Sequence, residues 1–292
     1  MKKNKTTILL IVIAAIVIVC VMNSLAERTP RVENIQTQSL QKKIRKKHFS
    51  SNCEQAGTYI TEDILTLENL LPESKEKYKT YDHKYFVLGY ANEHRQPAWV
   101  GWLITKDRVE NRATEKLNNF RPDSSLRCCQ SLNSDYKRSG YSRGHICPSG
   151  DMVWSAKANS ETFLLSNMSP QNQKFNAGRW ADLERRCRTW ATINDSILII
   201  SGPIFNNPIG KIGENNVTVP SEYYKIVIDI SYPKCKAIAF IMPNKEIKES
   251  VFSFSTTIKE VEERTHLNFF PKYNNSKLIN LLEVSCDTLD WK

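Results

Sequence analysis

The sequence predicts an α+β fold in which helices flank a central antiparallel sheet. Short apolar runs rich in β-branched and aromatic residues are typical of strands, and a longer segment has apolar residues at helical spacing. These elements do not alternate regularly, as they would in a parallel doubly wound fold. The chain has 292 residues, of which 40% are hydrophobic and 25% charged. This composition excludes a wholly disordered chain and a multi-span membrane protein.

Five apolar runs predict the strands of this sheet. They are Lys84–Ala91, Ala98–Thr105, Ser196–Ser201, Tyr223–Ile230 and Ala237–Met242. The turn-forming stretch between the first two runs predicts a hairpin. Gly202 and Pro203 follow the third run directly and are expected to end that strand, because glycine and proline commonly mark turns.

Two segments predict helices. Phe175–Ala191 has apolar residues at helical spacing, and Asn176 is the expected N-cap of this helix. Thr257 and Glu260 stand three residues apart, which is the form of a capping box. The second helix is therefore expected to begin at Thr257 and to end near Thr265.

The N-terminus carries a membrane-directed segment. Three lysines precede an unbroken apolar run, Ile8–Met22, and Ser24-Leu25-Ala26 has the small-x-small form of a signal-peptide cleavage site. With two preceding threonines, residues 6–22 are just long enough to cross a bilayer as an anchor helix. A cleaved signal and an uncleaved anchor both stay open for residues 1–26. Either one predicts an exported domain that is membrane-anchored, periplasmic or secreted.

Positive charge is concentrated in two parts of the chain. Residues 1–50 hold ten Lys and Arg against two acidic residues, and residues 27–75 are interpreted as a basic polar tether. The folded domain is predicted at 76–292. Within it, residues 112–190 hold 13 basic and 7 acidic residues on a near-neutral background. Such a stretch is expected if one face of the domain meets a polyanion.

Seven of the eight cysteines lie beyond the apolar run. Disulfides are allowed outside the cytoplasm, and their pairing cannot be read from the sequence. Because seven is odd, at least one thiol is expected to be free or paired between chains. No Cys-x-x-Cys pair occurs, which argues against a structural zinc site.

Residues 141–184 combine side chains suited to phosphodiester hydrolysis. His145 can take a proton from water, and Arg143 can pair with a phosphate. The amide oxygen of Asn176 is a hard ligand suited to Mg²⁺, which keeps most of its waters. Glu184 lies eight residues after Asn176, which leaves the two side chains about 80° apart on a helix. Together they predict a one-metal phosphodiesterase site, although each residue alone also has an ordinary structural interpretation.

Three motifs stand in order in this region. They are Ser142-Arg143-Gly144-His145, then Leu165-Ser166-Asn167-Met168-Ser169-Pro170-Gln171, then Asn176, Trp180 and Glu184 at four-residue spacing. The chain here resembles the DNA/RNA non-specific endonuclease family, the ββα-metal nucleases. The family signature is Asp-Arg-Gly-His, Leu-Ser-Asn-x-x-Pro-Gln and Asn-x-x-x-Trp-x-x-x-Glu. The similarity extends from about Lys84 to about Phe270 and implies the ββα-metal nuclease fold.

The resemblance implies a role for each catalytic residue. His145 would be the general base that activates water, and Arg143 would contact the phosphate. Asn176 would be the one direct protein ligand of Mg²⁺, for which Mn²⁺ or another divalent cation could substitute. Glu184 would hold metal-bound water.

The motifs also imply supporting residues and show two departures from the family. Asn167 and Gln171 would support the site by hydrogen bonds. Ser142 stands where the family usually has Asp, and activity is expected to survive this change. The family has a further catalytic Arg upstream, for which Lys116 and Arg121 are both candidates.

The resemblance implies a sequence-non-specific endonuclease that acts on DNA and RNA and leaves 5′-phosphate products. The sequence does not give the oligomeric state, and a homodimer is left open. Two other functions also stay open. One is a catalytically inactive nucleic-acid-binding module of the same fold, and the other is a membrane-tethered structural protein with chance matches to the motifs.

Overall fold

A seven-stranded antiparallel sheet is the centre of the chain. The computed structural model describes residues 71–74, 78–229, 235–273 and 277–292. The predicted signal or anchor and most of the tether lie outside these residues. Within the described ranges, no helix combines the length and the apolar character that a membrane span requires.

The strands of the described part are mostly short. They are β1 (Glu73–Ser74), β2 (Lys79–Asp82), β3 (Val87–Ala91), β4 (Gln96–Thr105), β5 (Tyr141–His145), β6 (Met168–Asn172), β7 (Ser196–Ile204), β8 (Gly210–Ile212), β9 (Val217–Val219), β10 (Glu222–Asp229), β11 (Lys236–Pro243), β12 (Ser255–Thr256) and β13 (Leu267–Asn268). The large sheet has the order β12-β11-β10-β7-β4-β3-β2, with every pair antiparallel. Strands β1 and β13, β5 and β6, and β8 and β9 form separate pairs. The predicted antiparallel sheet and the β3–β4 hairpin are confirmed.

The helices of the described part are α1 (Lys106–Glu110), α2 (Asn133–Tyr136), α3 (Ala156–Glu161), α4 (Gln173–Phe175), α5 (Ala181–Ile193), α6 (Ile258–Thr265) and α7 (Lys277–Val284). A π-helical turn, Asn176–Trp180, joins α4 to α5. Short 3₁₀ turns lie at Ser149–Asp151, Leu165–Asn167, Val251–Phe254, Pro271–Tyr273 and Leu289–Trp291. Thr257 caps α6 as predicted, because its side chain accepts a hydrogen bond from the backbone N–H of Glu260.

Strand β7 does not end at Gly202 and Pro203, as the sequence predicted, but continues to Ile204. The reason is the position of this segment in the sheet. Beyond Ser201 the strand pairs with β10 alone, because its pairing with β4 stops there. Proline is tolerated where one side of a strand is unpaired, since no neighbour needs the missing N–H.

The predicted cap of the long helix is also wrong. The side chain of Asn172, and not that of Asn176, accepts the backbone N–H groups of Lys174 (3.0 Å) and Phe175 (3.2 Å). Asn176 has φ −58° and ψ −47°, which places it inside the helical run. Both residues are asparagines four positions apart, so sequence preference alone did not tell which one is the cap.

Hydrophobic cores lie on both faces of the large sheet. Side chains alternate along β7, so that Ile197 and Ile199 pack on the α5 side while Leu198 and Ile200 pack on the α6 and α7 side. All four are buried. The central strands are therefore covered by apolar contacts on both faces, and the sheet forms a rigid base for the elements packed on it.

The β5–β6 hairpin lies outside the large sheet and is tied to it by polar contacts. Ser169 donates its hydroxyl to the side chain of Gln96 and lies 2.6 Å from the hydroxyl of Tyr223. The backbone oxygen of Pro170 accepts from Tyr223 (2.9 Å) and from the amide of Asn244 (3.0 Å). These contacts set the position of the hairpin that carries the first two motifs.

Candidate active site

A hairpin and the helical run after it bring the three motifs together. Strand β5 carries Arg143 and His145. Its partner β6 contains the last four residues of the second motif, which end with Gln171. The chain then enters α4, the π turn and α5, which carry Asn176 and Glu184. Two strands followed by one helix therefore hold every residue that the sequence predicted for the site, apart from Asn167, which lies just before β6.

His145 packs against two aromatic rings. Its ring is 4.7 Å from that of Phe163 and 5.5 Å from that of Phe120, measured between centroids. Its Nε2 atom is buried and has no hydrogen-bond partner among the described residues. Burial, together with the positive charges of Lys116 and Arg143, lowers the pKa of His145 to about 3. The imidazole is therefore neutral at physiological pH, with a nitrogen that is not committed to another group.

Arg143 is held from two sides. Its guanidinium carbon lies 3.9 Å from the centroid of the Phe120 ring, and Nη1 donates to Oδ1 of Asn133 at 2.7 Å. The amide of Asn133 also donates to the backbone oxygen of Phe120 at 3.1 Å. Stacking and hydrogen bonding together fix the plane of the guanidinium, as binding of a phosphate by two parallel bonds requires.

Asn167 supports the site through the backbone. It is fully buried, accepts the N–H of Cys147 at 2.9 Å and donates to the backbone oxygens of Cys147 and Thr162, both at 2.9 Å. Cys147 is two residues beyond His145. The contacts are those that a supporting role for Asn167 would require.

Gln171 is packed against Gly144. Both atoms of its side-chain amide are buried without a hydrogen-bond partner among the described residues, so the predicted supporting bonds stay a prediction. A methyl group on Gly144 would lie 2.2 Å from Cδ of Gln171, which leaves no room for any other residue there. Ser142, the departure from the family pattern, faces Gln171 across the hairpin.

Asn176 is half-buried at the start of the π turn. Its side-chain amide makes no hydrogen bond to any residue that the structure describes, and its capping role falls to Asn172. The backbone leaves helical geometry at Gly178, with φ −98° and ψ −115°, which separates the turn from α5. Single π turns inside α-helices frequently occur at functional sites. The oxygen of Asn176 is thus free for a ligand.

Glu184 is surrounded by charge. Burial raises its pKa to about 7, and Asp151 acts in the same direction. Lys225 opposes the rise most strongly among the cations, and Arg188 and Lys116 also oppose it. A carboxyl that titrates near neutrality in a buried cluster is typical of a functional site.

Lys225 is a buried cation that the sequence analysis did not single out. The residue is 1% exposed, and its Nζ lies 4.4 Å from the ring centroid of Trp180 and 5.0 Å from that of Trp102. It also lies 3.3 Å from the hydroxyl of Ser201. In the sequence, Lys225 is the charged residue near the start of the apolar strand predicted at Tyr223–Ile230. Lysine is almost never fully buried unless it is paired, so a lysine at such a position could have indicated a buried charged group.

Arg188 and Asp151 complete this charged group and were also missed. Nη1 of Arg188 lies 2.7 Å from Oδ1 of Asp151, while the indole N–H of Trp102 donates to the other carboxylate oxygen at 3.0 Å. Arg188 follows Glu184 by one helical turn, so the two share a face of α5. This four-residue spacing could have indicated from the sequence that Arg188 lies beside Glu184.

The structure distinguishes the two upstream cations. A methyl group on Gly150 would lie 3.1 Å from Nη1 of Arg188 and 3.7 Å from Cε of Lys116, so these two side chains converge. Arg121 instead donates to the backbone oxygen of Ser160 at 2.9 Å. Of the two candidates, Lys116 is the one that lies near Arg188 and acts on the pKa of His145, whereas Arg121 is hydrogen-bonded to a loop.

The donor atoms fit a hard divalent cation bound mainly through water. Within the described ranges, no group of three or more His, Cys, Asp or Glu side chains could enclose a metal ion. The free amide oxygen of Asn176 and the carboxylate of Glu184 are oxygen donors two turns apart. Mg²⁺ prefers oxygen ligands and retains several waters, so it does not need a dedicated protein cage.

Comparison with known proteins finds relatives along most of the chain. The chain is 35% identical over 239 residues to the mitochondrial nuclease EXOG of Danio rerio, and the match covers 76% of this chain and 69% of that protein. It is 33% identical over 218 residues to the mitochondrial endonuclease G of Caenorhabditis elegans, covering 69% and 70%. The crystal structure of an EndoG/EndoGI complex matches with a TM-score of 0.64 and 29% identity, over 71% of this chain and 91% of that chain. The chain spans 61% of the mouse and human proteins named EXOG.

These relatives contradict the predicted location. The EXOG proteins of Danio rerio, mouse and human and the endonuclease G of Caenorhabditis elegans are named as mitochondrial nucleases. The prediction of an exported domain, anchored outside the cytoplasm or secreted, is therefore wrong. The physical reason is that lysines before an apolar run indicate a membrane-directed segment without indicating which membrane receives it.

The match to the family extends over the whole site. Residues 68–276 match the family model described as DNA/RNA non-specific endonuclease. This range contains the three motifs, the seven-stranded sheet and the charged group around Glu184. The resemblance inferred from the motifs is confirmed, and the chain belongs to the DNA/RNA non-specific endonuclease family.

Proposed function

We propose that this nuclease is a metal-dependent endonuclease that hydrolyses phosphodiester bonds of DNA and RNA without sequence preference and leaves 5′-phosphate ends. The observation that carries the proposal is the state of His145. Its imidazole is neutral, its Nε2 is unpartnered among the described residues, and Arg143 and Lys116 lie close enough to depress its pKa. A neutral base beside two cations is suited to activating water next to a bound phosphate.

Substrate binding would make His145 a stronger base. Its pKa is low partly because of the nearby positive charges of Lys116 and Arg143. A phosphodiester bound by these cations brings negative charge to the same place, and negative charge favours the protonated imidazole. The proton of the attacking water can then move to Nε2, while the oxygen attacks phosphorus in line with the leaving 3′ oxygen.

The cations of the site would account for cleavage that does not depend on the base sequence or on the sugar of the nucleic acid. Arg143 presents a fixed guanidinium, and Lys116 and Arg188 converge beside Gly150. Contacts of this kind bind phosphate oxygens and carry no sequence information. The basic stretch at 112–190 would add affinity that weakens as salt concentration rises.

Asn176 would hold the divalent cation of a ββα-metal site, with Glu184 beside it. When bound, Mg²⁺ or Mn²⁺ supplies positive charge that stabilises the negative charge developing on the phosphate and on the leaving oxygen. Asn176 is free for this task because Asn172 is the cap. Lys225 and Arg188 keep Glu184 more acidic than burial alone would allow.

The test is cleavage of supercoiled plasmid and of an unrelated RNA by the full-length chain. We expect nicking and then degradation in Mg²⁺, products that ligase accepts through their 5′-phosphates, and no cleavage in excess EDTA. A His145→Ala variant with the same melting temperature serves as the inactive control. Binding of nucleic acid without cleavage by the parent protein in Mg²⁺ would overturn the proposal and favour the inactive binding module.

A further inference from the structure

Two adjacent cysteines on a surface loop are poised to react with each other. The thiol of Cys129 donates to the sulfur of Cys128, with 3.0 Å between the two Sγ atoms. Cys128 is exposed and Cys129 is partly exposed, whereas Cys147 and Cys187 are buried. Cys128 and Cys129 are both free thiols. A disulfide has an S–S length of about 2.05 Å, so the sulfurs need to move by only about 1 Å to bond.

The loop holds the two thiols face to face. Cys129 has a φ of 64°, and its backbone oxygen accepts the hydroxyl of Tyr90 at 3.2 Å. The side-chain amide of the next residue, Gln130, accepts the backbone N–H of Asp123 at 2.7 Å and donates to the backbone oxygen of Asp123 at 3.1 Å. These bonds fix the backbone on the C-terminal side of the pair, so little conformational freedom is left to lose when the sulfurs bond.

The surroundings act on Cys128 in two directions. The hydrogen bond and the charge of Cys129 raise the pKa of Cys128, whereas the positive charges of Arg95 and Lys79 oppose the rise. In thiol–disulfide exchange a thiolate is the attacking group, and the neighbouring cysteine of the pair can then resolve the mixed disulfide.

We propose that Cys128 and Cys129 are a modification site that a low-molecular-weight disulfide, such as oxidised glutathione, converts to a vicinal disulfide. One thiolate attacks a sulfur of oxidised glutathione, forms a mixed disulfide and releases one glutathione thiolate. The second cysteine then loses its proton and attacks the protein-bound sulfur, which releases the second glutathione. Two thiols and one disulfide become one disulfide and two thiols, and two electrons pass from the protein to glutathione.

The resulting bond would be easy to reduce. Adjacent Cα atoms are about 3.8 Å apart across a trans peptide, whereas disulfides usually join Cα atoms about 4.4–6.8 Å apart. A bond that departs from the preferred geometry is more reducible, and such bonds are the labile ones. The modification is therefore expected to respond to the ratio of oxidised to reduced glutathione.

The loop connects this pair to the active site. Its two ends, Phe120 and Asn133, are joined by a hydrogen bond, and both hold the guanidinium of Arg143. Bond formation between Cys128 and Cys129 changes the backbone only four residues before Asn133. We expect oxidation to displace Arg143 and to weaken cleavage, an effect that rests on the proposed function.

The modification is read by mass, independently of cleavage. Trypsin cuts after Arg127 and Lys137, so both cysteines fall in one peptide, Cys128–Lys137, that holds no other cysteine. The full-length chain is incubated with oxidised glutathione, blocked with iodoacetamide and digested. We expect this peptide to be unalkylated, lighter than the reduced peptide by two hydrogen atoms, and restored by reduced glutathione. A doubly alkylated peptide, or stable glutathione adducts on both cysteines, would overturn the site.

Variants separate the pair from other thiols. Cys128→Ser and Cys129→Ser should each leave one thiol that stops at the mixed disulfide with glutathione. Cys286→Ser, which removes a partly exposed cysteine far along the chain, should oxidise at the pair like the parent. If either pair variant still lost two hydrogen atoms within this peptide, the pairing would be wrong.

Cleavage is the second readout. Oxidation should lower kcat/KM on plasmid several-fold in the parent and in Cys286→Ser, and should leave Cys128→Ser and Cys129→Ser close to their reduced rates. Equal rates before and after a proven disulfide would overturn the link to Arg143. Absence of cleavage by the reduced parent would instead refute the proposed function, while the mass of the peptide would still test the modification.

Discussion

The two halves of the site hold their residues by different means. In the hairpin half, His145 and Arg143 rest on aromatic rings and a neutral amide, and His145 leaves a nitrogen without a partner among the described residues. In the helix half, Glu184 lies among Lys225, Arg188 and Asp151, which are joined by an ion pair and by contacts with indole rings. The hairpin half leaves a nitrogen of His145 uncommitted, and the helix half ties its charges together.

The difference follows from the task of each half. A general base must begin unprotonated, with a nitrogen lone pair available to accept the proton of the attacking water. Groups that oppose developing charge work best when their positions are set beforehand. Substitutions of His145 and Asn176, whose polar side-chain atoms are uncommitted, should therefore change the rate more than the stability, whereas substitutions in the charged group around Glu184 should change both.

The largest effect is expected for His145→Ala. Loss of a general base costs about 10²–10⁴ in rate, and His145 makes no hydrogen bond through Nε2 that folding would lose. Plasmid cleavage, DNA binding at low salt and the melting temperature are measured together. Near-parent turnover in a folded variant would contradict the division between the two halves.

The second-largest effect is expected for Asn176→Ala, which should lower the cleavage rate without lowering the melting temperature. Its amide bonds to no described residue, and alanine favours a helix, so the melting temperature should not fall. Cleavage should fall by about a hundredfold or more, because even outer partners of metal sites cost about 10–100-fold.

Asn172→Ala is the matched control for this variant. It removes the true cap, so it should cost about 0.5–2 kcal/mol of stability and leave cleavage largely intact below its melting temperature. Asn176→Asp keeps an oxygen at the same reach and should retain part of the activity with an altered metal preference. If Asn176→Ser cleaves like the parent at low Mg²⁺, another residue holds the ion.

Lys225→Met tests the helix half. Without the buried ammonium, the pKa of Glu184 should rise further, so that cleavage at pH 7 falls by about fivefold for a shift of about one unit. The loss should shrink as pH increases. Lys236→Met is the control, since Nζ of Lys236 also lies near an indole ring, 4.7 Å from that of Trp291, but Lys236 is not among the charges that act on Glu184. A pH profile unchanged in shape would show that Lys225 acts on packing alone.

The last prediction is a pH dependence of stability. Because the pKa of Glu184 is raised to about 7 in the folded state, the unfolded chain releases this proton at lower pH. Stability should therefore fall as pH rises from about 4.5 to 7, and level off above that. Thermal melts in EDTA should show this decline in the parent and a shallower one in Glu184→Gln. Parallel curves would place the carboxyl in contact with solvent.

Local signals in the sequence predicted much of the fold and the residues that come together in the candidate site. Apolar runs located the central strands, Thr257 marked the start of α6, and three motifs located His145, Asn176 and Glu184. What the sequence missed depends on tertiary contacts. The burial of Lys225 between two indole rings, and the position of Lys116 beside Arg188, arise from residues far apart in the chain.

The separation of the β5–β6 hairpin from the large sheet has a consequence for hydrogen exchange. Strand β7 is paired on both sides along most of its length and covered on both faces, so its amides should exchange only when the whole domain unfolds. Strand β5 has one partner and is mostly only partly buried, so its amides should exchange through openings of lower free energy. The strand that carries His145 is therefore expected to open locally while the sheet beneath it stays closed.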